Sequence, residues 1–264
     1  ENDVIGIILD GPGYGMDGTI WGGEILVGGF TKVKRYSHLE IIPLPGGDAA
    51  IKEPWRIAVS YLHHAFDGKL PPLNFLANSN TNLILQMLKK KINCPLTSSA
   101  GRLFDAVSVI CGGSKTIRYE AQAAIELMQK IETMDVVPYS ADEDATGQKF
   151  IPIKSLIKKI VDDLNNGTSS STISARFHKT LAYLLINKTE QARAETNIND
   201  VVLSGGVFQN EILLELMENE LQLKGFNVHS HSKIPTNDGG ISFGQVMVVN
   251  ELITKGMSRV EFVL

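Results

Sequence analysis

The chain contains little cysteine, no excess of positive charge and no long hydrophobic run, and each shortage excludes a class of protein. Two cysteines among 264 residues, Cys94 and Cys111, are too few for a disulfide framework or a zinc cluster. The net charge of −4 provides no sequence-independent attraction to nucleic acid, which requires clustered positive charge. No apolar run approaches the roughly 20 residues that a membrane span requires. We therefore expect a cytoplasmic protein that binds neither nucleic acid nor membranes.

The beginning of the chain is unusual for a complete protein. It has no initiating methionine and no basic-then-apolar signal peptide, and a strand-like apolar run begins already at Val4. We expect a fragment of a longer protein. Its hydrophobic content of 43% and its charged content of 20% are those of an ordinary globular domain.

The predicted elements indicate an α/β fold. A buried strand at residues 4–9, stopped by Asp10-Gly11-Pro12-Gly13, begins an antiparallel meander. Apolar spacing and turn residues predict the remaining elements. They are strands near 19–28 and 31–38, a loop at 41–54, helices near 54–66, 82–92, 103–110 and 124–131, a polar linker at 142–148, a long helix at 172–187, a strand at 201–204, a helix at 208–223, a strand near 227–228 and a helix at about 240–253.

Two glycine motifs follow the later strands. Gly205 and Gly206 stand between a strand and an amphipathic helix, where glycine lets the backbone approach a ligand and a helix N-terminus offers N–H groups to an anion. Asp238 stands in Pro235-Thr236-Asn237-Asp238-Gly239-Gly240 ahead of the last helix. Its carboxylate either binds a cation or caps that helix, and Gly239 with Gly240 favours the ligand. Together these motifs predict a nucleotide and metal site.

Three further groups of residues have a functional and a structural interpretation. Asp10 with Gly11 and Gly13 either binds phosphate at the end of a strand or completes a hairpin turn. Arg102 and Asp105 share a helix face, so they form either a surface ion pair or contacts to phosphate and ribose. A carboxylate in the first turn of a helix explains Glu120 without any ligand.

The histidines and cysteines lack the spacing of a catalytic or metal site. His63 and His64 are adjacent, so on a helix their rings diverge by about 100°. We expect the six histidines to lie at the surface or at strand edges, and neither cysteine has a base near it in sequence that would make it a nucleophile.

The chain resembles the C-terminal part of HypF-type carbamoyltransferases, which have an actin-like, ribonuclease-H-like ATPase fold with a mixed sheet flanked by helices. The order of the predicted elements agrees with that fold. The resemblance extends from Val4 to about Asn250 and includes both glycine motifs. Its other motifs are Asp10-Gly11-x-Gly13-Tyr14-Gly15, Trp21-Gly22-Gly23-Glu24, Leu44-Pro45-Gly46-Gly47-Asp48, Glu53-Pro54-Trp55-Arg56, Thr97-Ser98-Ser99-Ala100-Gly101-Arg102-Leu103-Phe104-Asp105 and Tyr119-Glu120-x-Gln122-Ala123-Ala124.

The resemblance implies a reaction and partners. In this family an acylphosphatase domain hydrolyses carbamoyl phosphate, and a second domain uses ATP to make carbamoyl-adenylate. The actin-like domain then transfers the carbamoyl group to the C-terminal cysteine of HypE, during maturation of nickel–iron hydrogenases. The implied partners are therefore HypE and the upstream acylphosphatase, zinc-finger and adenylate-forming domains. Residues 1–264 correspond to the second lobe, with helical insertions at about 50–98 and 113–170.

The resemblance also implies roles for individual residues. Asp10 and Asp238 match two metal-binding aspartates, and the metal is iron, zinc or magnesium. Two further ligands, in a His-x-x-x-His helix, belong to a segment upstream of this chain, so the fragment by itself is expected to be inactive. The residues expected at the nucleotide are Gly11, Gly13, Arg102, Asp105, Glu120, Gly205, Gly206, Asn210 and Gly239.

Two other classes use similar glycine turns. Another actin-like ATPase, such as a sugar kinase, would transfer the γ-phosphate, whereas the carbamoyltransferase releases AMP. A non-catalytic docking module would bind its partner regardless of Asp238.

Overall fold

The computed structural model describes residues 3–77, 80–140 and 148–264. The predicted linker at 142–148 therefore lies outside the described residues except for Gln148. Within the described ranges, no helix is long and apolar enough to cross a membrane.

A mixed sheet is the centre of the molecule, and strand β1 (Val4–Tyr14) lies in the middle of it. β1 pairs antiparallel with β2 (Ile20–Gly28), which pairs antiparallel with β3 (Lys32–Leu39), so the predicted meander is confirmed. On its other side β1 pairs parallel with β7 (Asp200–Ser204), and β8 (Asn227–His229) extends the sheet in parallel. The remaining described strands are short: β4 (Ile42–Pro43), β5 (Leu96–Thr97), β6 (Phe150–Ile151) and β9 (Glu261–Val263).

Two details of the sheet differ from the sequence prediction. β1 is not stopped at Asp10 but continues to Tyr14 through an irregularity between Leu9 and Gly13, because Gly13 and Tyr14 still pair with β2. The predicted loop at 41–54 contains β4 and the short helix α1 (Asp48–Lys52).

Most helices lie where the apolar spacing predicts them, whereas α3 (Asn74–Ala77) and α7 (Lys154–Asn165) were not predicted as separate helices. α8 begins at Ser170 and is capped by the Ser169 hydroxyl, which accepts from Thr172 N, but it extends beyond the predicted end to Thr196. The predicted helix at 208–223 is divided into a 3-10 turn (Gly206–Gln209) and α9 (Glu211–Leu223). The other helices are α2 (Trp55–Ala65), α3 (Asn74–Ala77), α4 (Thr81–Lys90), α5 (Ala100–Ile110), α6 (Gln122–Gln129), α7 (Lys154–Asn165) and α10 (Ile241–Thr254).

The core is continuous from the sheet into the inserted helices. Ile5, Ile7 and Leu9 of β1 are fully buried, and every residue of α5 is buried. Ile57 of α2 and Ile160 of α7 belong to the same apolar cluster. The helices α2, α5 and α7 therefore share one core with the sheet.

α10 differs from the other long helices. None of the residues described in α10 is buried, although many of its side chains are apolar. Val246 and Ile253 are 64% and 73% exposed. Apolar helices in soluble proteins are normally covered, so this is an unpartnered surface that begins directly after the turn at Asp238–Gly240.

Candidate functional site

The carboxyl ends of the parallel strands β1 and β7 bring the predicted site residues together. The turn after β7 lies directly on β1, since a Cβ on Gly205 would stand 2.2 Å from the carbonyl oxygen of Leu9. Gly205 also has φ +105° and ψ 155°, a conformation that is essentially restricted to glycine. In α/β sheets, ligands bind at the carboxyl ends of parallel strands. The glycine required here by close approach therefore lies where a ligand is expected.

Asp10 stands beside this turn. Its Oδ1 atom accepts from Gly11 N at 2.7 Å and lies 3.0 Å from the position that a Cβ on Gly206 would take. The Cβ of Asn237 lies 3.9 Å from that same position. Asp10, Gly206 and Asn237 therefore meet at one place, as the glycine motifs predict.

The N-terminus of α5 supports the backbone of Asp10. The Ser99 hydroxyl donates to the Asp10 carbonyl oxygen at 2.9 Å and also caps α5 by accepting from Arg102 N. A Cβ on Gly101 would stand 3.2 Å from the Cα of Gly11. By contrast, a Cβ on Gly11 would meet nothing within 4 Å, so open space lies next to Gly11.

The turn that contains Asp238 is hydrogen-bonded to the turn at Gly205. Gly205 N donates to Thr236 O at 3.0 Å, and the Thr236 hydroxyl donates to Gly205 O at 3.1 Å. Asn237, rather than Asp238, caps this turn, because its Oδ1 atom accepts from Gly239 N. Asp238 is exposed, so its carboxylate is open to solvent. A cavity of about 310 Å³ opens beside the turn, lined by Leu203, Phe208, Leu214 and residues 230–236.

Several of the glycine amides predicted to bind phosphate already have acceptors within the protein. Gly11 N is bonded to Asp10, Gly205 N to Thr236 and Gly239 N to Asn237. Gly206 is the first residue of its 3-10 turn, where an N–H group has no acceptor within the turn. The geometry therefore favours Gly206 as the amide that can donate to an anion.

Asn210 has two structural contacts at the other end of this turn. Its Oδ1 atom accepts from Leu213 N at 3.0 Å and so caps α9. Its Nδ2 atom lies 2.8 Å from His178 Nε2, and His178 Nδ1 lies 2.8 Å from Ser174 O. The predicted nucleotide residue Asn210 is thus held by a histidine of α8.

His178 corrects the expectation that the histidines lie at the surface. It is fully buried against the rings of Phe104 and Phe177, and this burial lowers its pKa to about 4. A neutral ring that donates from Nδ1 to Ser174 can accept from Asn210 at Nε2. In the sequence, the burial of His178 is indicated only by its position three residues before Leu181, on the apolar side of the long helix.

The structure rejects the surface ion pair considered for Arg102 and Asp105. The side chains are only 6% and 1% exposed, and Arg102 Nη2 stands 2.8 Å from Asp105 Oδ2. This is a charge contact without good hydrogen-bond geometry, because both Asp105 oxygens and two Arg102 nitrogens still lack hydrogen-bond partners. Burial raises the pKa of Asp105 to about 6, although the Arg102 charge partly offsets it. The charges of both residues also act on buried Tyr61 of α2.

Glu120 is not in the first turn of a helix, as the sequence suggested. α6 begins at Gln122 after Ala121 in a left-handed conformation, and Glu120 lies exposed in the preceding turn. The helix dipole therefore does not account for Glu120. A contact from Glu120 or Gly13 to a nucleotide remains a prediction.

Asp10 and Asp238 are the candidate metal ligands that the sequence predicts at these two turns. Within the described ranges, no three histidine, cysteine, aspartate or glutamate side chains come together as a metal site. Asp10 and Asp238 are carboxylates on adjacent turns, and carboxylate oxygens suit a hard divalent cation. The two carboxylates therefore fit a divalent cation chemically, and the binding of a metal by Asp10 and Asp238 remains a prediction.

Comparisons with known proteins identify a family. The family model described as "Carbamoyltransferase, Kae1-like Domain, second subdomain" matches residues 6–245. The carbamoyltransferase HypF2 of Cupriavidus necator is 33% identical over 94% of this chain and 34% of its own length. The probable carbamoyltransferase HypF of Methanocaldococcus jannaschii is 34% identical over 92% of this chain and 32% of its own length.

A solved structure indicates the same family. Full-length HypF in its phosphate- and nucleotide-bound form is 38% identical and superposes with a TM-score of 0.88 over 98% of this chain and 41% of that protein. This chain thus spans about a third of the length of the curated relatives above. The fold is that of the HypF Kae1-like domain, so the predicted actin-like architecture is confirmed. The chain belongs to the HypF carbamoyltransferase family, in which it corresponds to the second subdomain of the Kae1-like domain.

Proposed function

We propose that this chain is the nucleotide- and metal-binding lobe of a HypF-type enzyme that transfers a carbamoyl group from carbamoyl-adenylate to the C-terminal cysteine of HypE. The enzyme acts in the cytoplasm, in maturation of nickel–iron hydrogenases. The observation that carries the proposal is the meeting of Asp10, Gly206 and Asn237 at the carboxyl ends of β1 and β7. A related HypF has been solved in a nucleotide-bound form, which supports a nucleotide as the ligand.

The chain's own residues bind and orient the adenylate in this proposal. Open space beside Gly11 admits the phosphate, and the Gly206 amide donates to its oxygen. Charge that develops on the AMP leaving group is stabilised by this amide. Asp105 and Arg102 are proposed for the nucleoside end: their unpartnered polar atoms suit ribose and phosphate, and because both side chains are buried, contact requires that the residues covering them move when the nucleotide binds. Gly13, Glu120, Asn210 and Gly239 complete the proposed nucleotide residues.

Asp10 and Asp238 would hold a divalent cation of iron, zinc or magnesium, with two histidines from a preceding segment. Such a cation supplies neutralisation of phosphate charge when it is bound. Asp238 is exposed and Asp10 is fixed through Gly11, so the two differ in freedom to adjust to a ligand.

The transfer itself requires no nucleophile from this chain. The HypE thiolate forms a C–S bond to the carbamoyl carbon, the C–O bond to phosphate breaks, and AMP leaves with the electron pair. The two cysteines fit this division of labour, because burial raises the pKa of Cys111 to about 12 and also raises the pKa of Cys94.

The test uses a longer HypF-type protein that contains this chain, incubated with carbamoyl phosphate, ATP and HypE. Mass spectrometry is expected to find a carbamoyl adduct on the terminal HypE cysteine, and AMP is expected as the nucleotide product. Asp238→Asn should reduce both the adduct and the bound metal, while Asp200→Asn, on the exposed pair with His229, should change neither. Phosphoryl transfer to a sugar without AMP would favour the sugar kinase instead. Intact protein that forms no adduct would reject the proposal, and partner binding unaffected by Asp238→Ala would favour the docking module.

A further inference from the structure

The motif Trp21-Gly22-Gly23-Glu24 contains a buried charge that the proposed reaction does not use. Glu24 is 2% exposed and accepts four hydrogen bonds. Its Oε2 atom accepts from Gly22 N at 2.6 Å and Gly23 N at 2.7 Å. Its Oε1 atom accepts from Arg35 Nη2 at 2.8 Å and from the Ser98 hydroxyl. One carboxylate therefore joins β2, β3 and the segment that leads into α5.

The Gly22 segment and the Ser98 segment, both hydrogen-bonded to Glu24, contact the backbone of Asp10. A Cβ on Gly22 would stand 2.6 Å from the Asp10 carbonyl oxygen and 2.3 Å from that of Gly11, so the two backbones are in direct contact. On the other side, Ser98 precedes Ser99, whose hydroxyl donates to the Asp10 carbonyl oxygen. The Glu24 carboxylate thus fixes the Gly22 segment and the Ser98 segment, and the backbone of Asp10 lies between them.

Arg35 orients this carboxylate, and its positive charge partly offsets the rise in the pKa of Glu24 that burial causes. Its guanidinium donates to Glu24, to the Ser98 hydroxyl at 3.1 Å and to Asp17 at 2.8 Å, and it lies over the Trp21 ring at 4.2 Å. A buried carboxylate requires such a partner, since an unpaired charge is costly in the interior. Asp17 is the more exposed carboxylate of the two and contacts neither Ser98 nor the Gly22 amide in the part of the chain that the structure describes.

We propose that Glu24 and Arg35 are positioning residues of the nucleotide site: they hold the Gly22 and Ser98 segments so that Asp10 and Gly11 face the bound phosphate. The inference rests on the proposed function only for the identity of the ligand. The arrangement of the Asp10 backbone is a separate property and can be measured without any nucleotide.

The test compares Glu24→Gln with Asp17→Asn in the longer HypF-type protein. Both changes remove one carboxylate from Arg35, but only Glu24→Gln disturbs the bonds to Gly22, Gly23 and Ser98. Asp17 also accepts from Thr19 and Trp21 in the turn between β1 and β2, next to the pairing of Gly13 with Trp21. Amide hydrogen exchange of Asp10 and Gly11 is therefore expected to accelerate about tenfold in Glu24→Gln and to stay unchanged in Asp17→Asn, whose effect is confined to Gly13 and Tyr14. The Kd for AMP, measured well below Tm, is expected to rise about tenfold in the first variant only. Arg35→Lys should restore part of the affinity relative to Arg35→Met.

Ser98→Ala provides a milder variant if Glu24→Gln does not fold. It leaves the Glu24–Arg35 pair in place and removes only the link to the α5 segment, so it should accelerate exchange and weaken AMP binding in the same direction. A lower Tm with unchanged exchange at Asp10 and Gly11 and unchanged Kd in these variants would overturn the inference, because it would reduce the pair to a role in stability. Wild-type protein that binds no AMP would reject the proposed ligand, while the exchange measurement would still decide the positioning role.

Discussion

His178 accepts a hydrogen bond from Asn210 across 2.8 Å, although the two residues lie 32 positions apart on α8 and at the start of α9. Asn210 can donate only while His178 Nε2 has no proton, because a protonated ring donates from both nitrogens. The same Asn210 side chain caps α9. The protonation state of the buried His178 ring therefore affects Asn210, the residue at which the glycine turn ends and α9 is capped.

This contact predicts a loss of stability in acid. The pKa of His178 is about 4 in the folded protein, below its ordinary value of 6.5, because the ring is buried. Between these pH values the unfolded chain binds a proton that the folded protein does not, so acid favours unfolding. From pH 7 to pH 5 the free energy of unfolding should fall by about 2 kcal/mol through this residue alone. Urea denaturation at the two pH values measures it.

The variant His178→Gln isolates that contribution. Other groups titrate equally in both proteins, so the difference between their pH dependences belongs to His178. His229→Gln is the matched control, because its ring is exposed beside Asp200. If the free energy of unfolding depends on pH equally in wild type and in His178→Gln, the prediction is contradicted.

The buried Arg102 and Asp105 pair should respond differently to single and double substitution. Asp105→Asn leaves the Arg102 guanidinium buried without its counter-ion and should cost about 3 kcal/mol. The double variant Arg102→Met/Asp105→Leu removes both charges and should be near wild type or more stable. Urea denaturation at pH 7 checks this, and costs that simply add would refute it. A Kd for AMP in the stable double variant also tests the proposed nucleoside contact.

A comparison of two glycines separates steric contact from backbone conformation. Gly225 has φ +81°, and a Cβ there would meet nothing within 4 Å, so Gly225→Ala should cost about 1 kcal/mol. Gly205→Ala should cost about 3 kcal/mol or more, because its Cβ would also collide with the Leu9 carbonyl. Thermal and urea unfolding measure the two costs. Similar values would show that the turn moves away from β1 at little cost.

Exposure distinguishes two valines in the same way. Val201 of β7 is fully buried, and Val201→Ala should cost about 2 kcal/mol through lost burial and a cavity. Val246→Ala on the uncovered α10 should change the free energy of unfolding by less than about 0.5 kcal/mol. A large cost at Val246 would mean that α10 packs against something in solution.

Local signals in the sequence predicted much of the fold. The long helix α8, the meander of β1 to β3 and the turn at Gly205 each depend on neighbouring residues, so spacing and residue type were sufficient to predict them. The metal and nucleotide residues were assigned by matching motifs, and their contacts to ligands remain predictions.

Contacts between distant segments could not be predicted in this way. Arg102 and Asp105 have the spacing of a surface pair, and they are buried because α5 packs against α2, α6 and β1. His178 lies beside an apolar stripe, but nothing near it in sequence indicates Asn210. Glu24 likewise finds Arg35 and Ser98 only when three separate segments meet.

The pairing of Ile5 with Val201 also constrains the order in which the molecule forms. Asp10 lies on β1 and Gly205 directly follows β7, and these strands are about 200 residues apart. A loop of that length is expected to close late, because its closure costs more chain entropy than that of a hairpin. β1 can pair early with β2, but its other edge stays unpaired until β7 has formed beside it. The end of the sheet where the nucleotide is proposed to bind is thus expected to form late in folding. Slow or failed pairing of β7 would leave a well-formed meander without the turn at Gly205 beside Asp10.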